Sequence, residues 1–485
     1  MRLSKLAEVL GGEYVGGEAE IAALNVDSRK KVKNALFVCL SGGNTDSHKL
    51  VGEAVRSGAV AFVTEKRLQI DLPQVVVEDT RAALGLVAAA FYGNPASRLK
   101  VIGVTGTNGK TTTTYLLASI LREAGKKVGI IGTLGITYAD KKLPANLTTP
   151  DPIELNEVLA DMCLRGVEYV VMEVSAHALY YKKIAGVQFA ACIFTNLTQD
   201  HLDFFPSMEE YANAKRQLFS PKTCNLAILN GDDKLGRQIG ADFENAGGKS
   251  FYYGLETPSD CFAVITDESL DGTECMLNIN DELCRVSLRL FGIYNVYNAL
   301  AAAACATLLG LGAGVKKGLS AIQSVNGRME RVSSMRGNGI FIDFAHTPDG
   351  LEKSLSALKK HCRGRLICVF GCGGNRDADK RAIMGEIAAK NTNFSILTSD
   401  NPRYEDPLDI ITEIERGYRR FSTRYVIVPD RRKAIAYALE SLQKEDVLLI
   451  AGKGGEEYQE VMGIKYPFND YTVVEELLAN GKPAW

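Results

Sequence analysis

Residues Val101–Leu121 read VIGVTGTNGKTTTTYLLASIL. An apolar strand runs into a glycine turn, then a lysine, a run of threonines and a helix. That order suits phosphate binding, because a helix N-terminus offers free backbone N–H groups and a favourable dipole. Gly106 and Gly109 free the turn, so the backbone can approach phosphate oxygens closely. Lys110 can reach the outer phosphates as a point charge, and the hydroxyl of Thr111 or Thr112 can join a magnesium shell. The spacing departs from G-x-x-x-x-G-K-[ST], since Val104 stands where the first glycine belongs. Read alone, the stretch also fits a plain glycine turn with an incidental lysine.

The same rhythm extends outward. KVGIIGT, EYVVMEVS, AACIFTN and LAILNGDD alternate with helices at PIELNEVLADMCLRG and MEEYANAKRQLF. Such alternation indicates parallel strands joined by right-handed crossovers. A strand-rich patch near Cys261–Leu290 and an alanine-rich helix, NVYNALAAAACATLLG, follow. Upstream, ALFVCLSG, VAFVTE and QVVVED read as short strands with a helix at Thr80–Tyr92, and YGNPASRLK reads as a linker. Downstream, the α/β rhythm repeats from IFIDFAH to VLLIAGKGG. The expected fold is α/β in three domains: a mixed N-terminal domain over 1–99, a central P-loop ATPase-like parallel-sheet domain over 100–330, and a C-terminal Rossmann-like domain over 331–485. A length of 485 residues agrees with that count, at about 150 residues per domain.

Composition narrows the function. Lys plus Arg total 56 against 58 for Asp plus Glu, so no broad charge footprint for nucleic acid or membrane is expected. Eleven cysteines without C-x-x-C pairs suggest reduced thiols. MRLSKLAEVLGGEY is broken by charges and is not expected to be a signal peptide. The longest apolar runs, such as LGLVAAAFYG, are too short to span a bilayer. A cytoplasmic monomer is expected.

Several side chains carry chemistry. Glu173 ends an apolar strand, where a carboxylate is costly unless paired, and magnesium or an arginine would suit it. His201, in TNLTQDHLDFF, fits a structural hydrogen-bonder as well as a ligand. Lys215, in MEEYANAKRQLF, reads alone as a solvated helix lysine. Asn295 and Asn298 share a helical face; an asparagine matches an adenine edge, though Asn295 also fits a helix cap. In TSDNPRYEDP, Pro402 fixes a turn behind Arg403, whose fork suits a carboxylate. Glu456, in IAGKGGEEYQ, is available to an ammonium group; with Arg376 and Arg403 it would fit a zwitterionic amino acid.

These motifs in this order resemble the Mur ligases and the related folylpolyglutamate synthetases, whose ATP loop has the shorter G-T-N-G-K-T-T spacing. The resemblance covers all three blocks. It implies that Gly106, Thr107, Asn108, Gly109, Lys110, Thr111 and Thr112 cradle ATP, that Asn298 meets adenine, Arg328 the phosphates and Asp343 the ribose. It implies magnesium at Thr111, Glu173 and His201, a carbon-dioxide-derived carbamate on Lys215 as a further metal ligand, and His346 near the terminal phosphate. D-N-P-R points to the diaminopimelate-adding branch. There Arg376, Asp400, Asn401, Pro402, Arg403, Gly452 and Glu456 would bind meso-diaminopimelate. Ser28, Thr148, Thr149, Ser175 and Lys183 would bind UDP-N-acetylmuramoyl-L-alanyl-D-glutamate, with the N-terminal domain taking the UDP part. Taken without the resemblance, those five residues fit turn or cap chemistry equally well. The chain departs from the family in having Ala176 in SAHA, Lys183 for arginine, Gly455 for histidine and Phe205 for histidine.

The implied reaction activates a carboxylate as an acyl phosphate and lets an amine displace phosphate. Competing readings are a ligase that adds lysine, a dipeptide or folate glutamate, a P-loop kinase or regulatory NTPase, and an ATP-binding scaffold with an eroded site.

Overall fold

The computed structural model describes residues 1–42, 46–332 and 339–479; residues 480–485 of the expected C-terminal domain lie outside them. Among the described residues the strands form three large sheets and one hairpin.

The first sheet has five strands, ordered Glu13–Val15, Gln74–Val76, Ala59–Thr64, Ala35–Val38 and Ala23–Asn25. All neighbours are parallel except the first pair. Helix Leu3–Leu10, which the sequence reading passed over, packs its Leu3 and Leu6 into this core.

The second sheet has eleven strands. Its middle is parallel and runs through Lys249–Gly254, Leu226–Asn230, Phe189–Phe194, Lys100–Thr105, Tyr169–Glu173 and Val128–Gly132. Antiparallel strands extend both edges: Gly135–Tyr138 and Lys141–Leu143 on one side, Gly272–Ile279 and Glu282–Leu288 on the other. The expectation of a parallel sheet therefore holds for its centre, which strand Cys261–Ser269 joins in parallel, and the rest of the patch near Cys261–Leu290 is an antiparallel apron. Helix Lys110–Glu123 packs on helix Ile293–Leu308, whose buried alanines let the two approach closely.

The expected linker is ordered. Pro95–Arg98 form a 3₁₀ turn with Pro95 and Ala96 buried, after Asn94 turns the chain at φ +51°. The third sheet runs Glu330–Val332, Gly339–Asp343, Val447–Ala451, Leu366–Phe370, Phe394–Leu397 and Tyr425–Ile427, parallel but for its first strand. The hairpin Tyr458–Val461 with Ile464–Pro467 follows it. No described helix is long and apolar enough to cross a membrane. The cysteines are free thiols.

Candidate functional site

Parallel strands deliver their carboxyl ends to one edge, and ligands gather there in open α/β sheets. Strand Lys100–Thr105 lies between Tyr169–Glu173 and Phe189–Phe194, with Glu173 in register with Val104. The loop after Thr105 is thus flanked by Glu173 and by Thr195. A cavity of about 1440 Å³ opens at this edge and continues to the third sheet's carboxyl ends, reaching Asp343, Asp400 and Gly452.

The loop is built for close approach. Gly106 at φ +145° leaves no room for a side chain, since a Cβ would lie 1.9 Å from Thr195 Oγ1. Gly109 at φ +86° starts the helix, and a Cβ there would meet Asn298 Oδ1 at 2.3 Å. Lys110 Nζ donates to the carbonyls of Gly106 (2.9 Å) and Thr107 (2.8 Å), so it spans the loop. Burial lowers the pKa of this ammonium while Glu173 and Asp200 oppose the shift. Thr107 packs its hydroxyl on Tyr211, and Thr112 is buried beside the cavity. Asn108 donates to Thr198 Oγ1 at 3.2 Å and, across to the third sheet's domain, to Asp349 Oδ2 at 2.9 Å.

Glu173 is buried and accepts from the Thr133 N–H at 2.8 Å, the Thr133 hydroxyl at 3.2 Å and the Thr111 hydroxyl. Arg328 Nη2 donates to that Thr111 hydroxyl at 3.0 Å, stacking its guanidinium over Phe344. Hydroxyl plus carboxylate is the hard-oxygen chemistry that magnesium takes. No three His, Cys, Asp or Glu side chains converge as a metal cage among the described residues. His201 and Glu173 therefore do not make one by themselves.

Lys215 is not the solvated lysine its helix suggests. Ser207 caps helix Met208–Arg216, and Tyr211 and Lys215, four apart, share its buried face. Lys215 is 1% exposed, donates to the Gly106 carbonyl at 2.8 Å and lies 4.3 Å from the Tyr211 ring centroid. Burial, then the charge of Lys110, holds its pKa well below the ordinary lysine range.

His201 sits at φ +58° with Nε2 3.4 Å from Asp200 Oδ2; His346 Nε2 lies 3.9 Å from the same oxygen. Burial pushes both imidazoles down against the pull of Asp200, which favours neutral rings. Asp200 thus links the second and third sheets' domains. It was overlooked in the sequence, although it adjoins His201. Asp343 accepts from Met329 N–H, Ala345 N–H and the Ser354 hydroxyl, and burial raises its pKa. Asn298 pairs with Asn295 at 3.1 Å and accepts from Thr113; Asn295 donates to the Phe291 carbonyl and is not the helix cap, which is Gly292.

At the third sheet, Asp400 Oδ1 accepts from Asn401 N–H, while Oδ2 is buried and has no protein partner among the described residues. Gly452 gives that oxygen its space: a Cβ would stand 2.6 Å away. Burial alone would raise the Asp400 pKa, but Lys453 and Arg431 outweigh it and the group is lowered. Two expectations change here. Glu456 is not free, because Lys453 Nζ at 2.8 Å and Asn401 Nδ2 at 2.9 Å already hold it. Arg403 does not point freely outward but bonds the Gly374 carbonyl at 2.8 Å, while still lining the cavity. Arg376 reaches back to Asp203 at 3.6 Å, and Pro402 shapes the turn from outside the cavity.

Thr148, Thr149, Ser175 and Lys183 line the cavity's other side. The Thr149 hydroxyl donates to the Glu173 carbonyl at 2.9 Å, Thr148 meets Thr133, and Lys183 pairs with Asp151. Ser28 is not brought there: it is buried in the first sheet's domain, its hydroxyl on Glu53 at 3.2 Å. Of the departures, Phe205 is buried against Tyr211, and a Cβ on Gly455 would lie 2.9 Å from Asn326 Oδ1, tight for any larger residue.

A family model described as the Mur ligase middle domain matches residues 104–306, and one described as the Mur ligase, glutamate ligase domain matches 327–454. The chain belongs to the Mur ligase family. Similar relatives include the UDP-N-acetylmuramoyl-L-alanyl-D-glutamate–2,6-diaminopimelate ligases of Caldanaerobacter subterraneus, 42% identical over 99% of this chain and 100% of that one, and of Syntrophomonas wolfei, 42% identical over 99% of each. A solved structure of a ligase of that name is 31% identical with a TM-score of 0.69, covering 95% of both chains. MurF ligase from Thermotoga maritima, at 22% identity and a TM-score of 0.63 over 94% of this chain and 97% of that one, shares the Mur ligase fold.

Proposed function

We propose that the chain is an ATP-dependent ligase that adds meso-diaminopimelate to UDP-N-acetylmuramoyl-L-alanyl-D-glutamate in peptidoglycan precursor synthesis, acting in the cytoplasm as a monomer, with domains at 1–99, 100–330 and 331–485. The carrying observation is that one cavity joins the phosphate loop to Asp400, Asn401 and Arg403. A kinase or switch NTPase has no use for the second half of that constellation.

The chemistry follows from the parts. The acceptor carboxylate resists direct attack by an amine, so ATP transfers its terminal phosphoryl group to it. The acyl phosphate then has a good leaving group. The loop N–H groups and Arg328 hold the nucleotide, and Lys110 offsets charge on the transferring group. Asn298 faces adenine and Asp343 the ribose. Magnesium held by Thr111 and Glu173 would neutralise phosphate charge, with His201 beside it. Buried Lys215, whose lowered pKa favours the free amine, is suited to add carbon dioxide, its nitrogen forming the bond and losing a proton; the carbamate is a further hard-oxygen ligand. His346 lies near the terminal phosphate. Thr148, Thr149, Ser175 and Lys183 orient the muramoyl dipeptide, with Ser28 at its UDP end. Arg376, Asp400, Asn401, Arg403, Gly452 and Glu456 align the diaminopimelate amine for attack, and phosphate leaves as the amide forms.

The test is phosphate release with the muramoyl dipeptide as acceptor. Release with meso-diaminopimelate should far exceed release with L-lysine. Equal rates would contradict the reading.

A further inference from the structure

We propose that Glu460 is a positioning residue that holds the Arg403 guanidinium ready for the far carboxylate of the amino-acid substrate; this rests on the assignment of Arg403 made above. Glu460 lies on strand Tyr458–Val461 and is not among the residues lining the cavity, whereas Arg403 is. Its carboxylate sits 3.3 Å from Arg403 Nε, with both side chains 21% exposed.

The hairpin grips Arg403 by its backbone as well. Arg403 N–H donates to the Glu460 carbonyl at 3.0 Å, and Met462 N–H donates to the Arg403 carbonyl at 2.6 Å. These bonds hold Arg403 at φ +53°, a left-handed conformation that a non-glycine residue keeps only when its surroundings impose it. The Glu460 N–H in turn donates to Asn401 Oδ1 at 2.9 Å, tying the same strand to the D-N-P-R turn.

The side chain is then fixed at two points. Gly374 holds Nη1 and Glu460 holds Nε, while Nη2 bonds to no described residue. A Cβ on Gly373 would come within 2.9 Å of Nη1, so only glycine at 373 leaves the guanidinium room to sit there. An incoming carboxylate can meet Nη2 without displacing Glu460. Arginine is long and rotamer-rich, and fixing it beforehand removes an ordering cost from binding.

The experiment measures KM for all three substrates and kcat in Glu460→Ala, Glu460→Gln, Arg403→Ala and the Glu460→Ala/Arg403→Ala double variant. Glu460→Ala should raise KM for meso-diaminopimelate about tenfold while leaving kcat, KM for ATP and KM for the muramoyl dipeptide within about twofold. Glu460→Gln keeps an acceptor oxygen and should fall between. The double variant should be no worse than Arg403→Ala alone. An unchanged diaminopimelate KM in Glu460→Ala, an equal further rise on the Arg403→Ala background, or a general rise in all three KM values would overturn the proposal. If Arg403→Ala itself leaves the diaminopimelate KM unchanged, the assignment of Arg403 fails and this inference with it.

Discussion

The Thr111 hydroxyl lies 3.0 Å from each carboxylate oxygen of Glu173, although the two are 62 residues apart. Strand register makes this contact, because Glu173 ends the strand next to the loop that Thr111 follows. If the pair holds magnesium, Glu173→Gln should lower kcat by about 10²–10³-fold and raise the magnesium concentration needed for half-maximal phosphate release. A magnesium titration of both proteins checks it; an unchanged magnesium dependence would count against the site.

Lys215 should be carbamylated. Carbon-13 NMR after equilibration with labelled bicarbonate should show a carbamate signal that Lys215→Met lacks, and the variant should be inactive. In buffer freed of carbon dioxide the wild type keeps a buried amine with a lowered pKa, which costs stability near neutral pH, so there the variant should melt at an equal or higher temperature.

Asp232 gives a pH prediction away from the phosphates. Burial would raise its pKa, but the Thr257 hydroxyl, the Leu255 and Glu256 N–H groups and the Tyr297 hydroxyl together bring it from 3.8 to about 2. Its folded-state pKa is lowered, so its contribution is complete above pH 4 and disappears as pH falls through 2. Asp232→Asn should cost about 1–2 kcal/mol at neutral pH, and the difference from wild type should shrink across that acid window in denaturant melts. Tyr297 adjoins Asn298, so a weaker ATP affinity should accompany the loss.

Arg403→Ala should raise the diaminopimelate KM about 100-fold and leave the ATP KM nearly unchanged. Steady-state kinetics with each substrate varied separates the two; a change in ATP binding instead would misplace the third domain's role.

The glycine turn into helix Lys110–Glu123 and the parallel centre of the second sheet were legible because local spacing encodes them: Gly106, Gly109 and Lys110 have meaning within one turn. The helix at MEEYANAKRQLF was equally local, but the burial of Lys215 was not. A lysine on a polar helix reads as exposed until Tyr211 of the same helix and the Gly106 carbonyl, 109 residues away in the glycine loop, close over it. Asp200 and Glu460 escaped notice for the same reason, since their partners His346 and Arg403 lie far along the chain. Glu456 was read as free because nothing local shows that Lys453, three residues away, turns inward to meet it. The antiparallel edges and the ordered turn at Pro95–Arg98 depend on packing against neighbours rather than on composition.

The most direct measurement follows the acceptor's oxygen. With oxygen-18 in the glutamate side-chain carboxylate of the muramoyl dipeptide, one labelled atom should appear in each released inorganic phosphate by mass spectrometry. Unlabelled phosphate alongside full amide formation would contradict carboxylate activation by phosphoryl transfer.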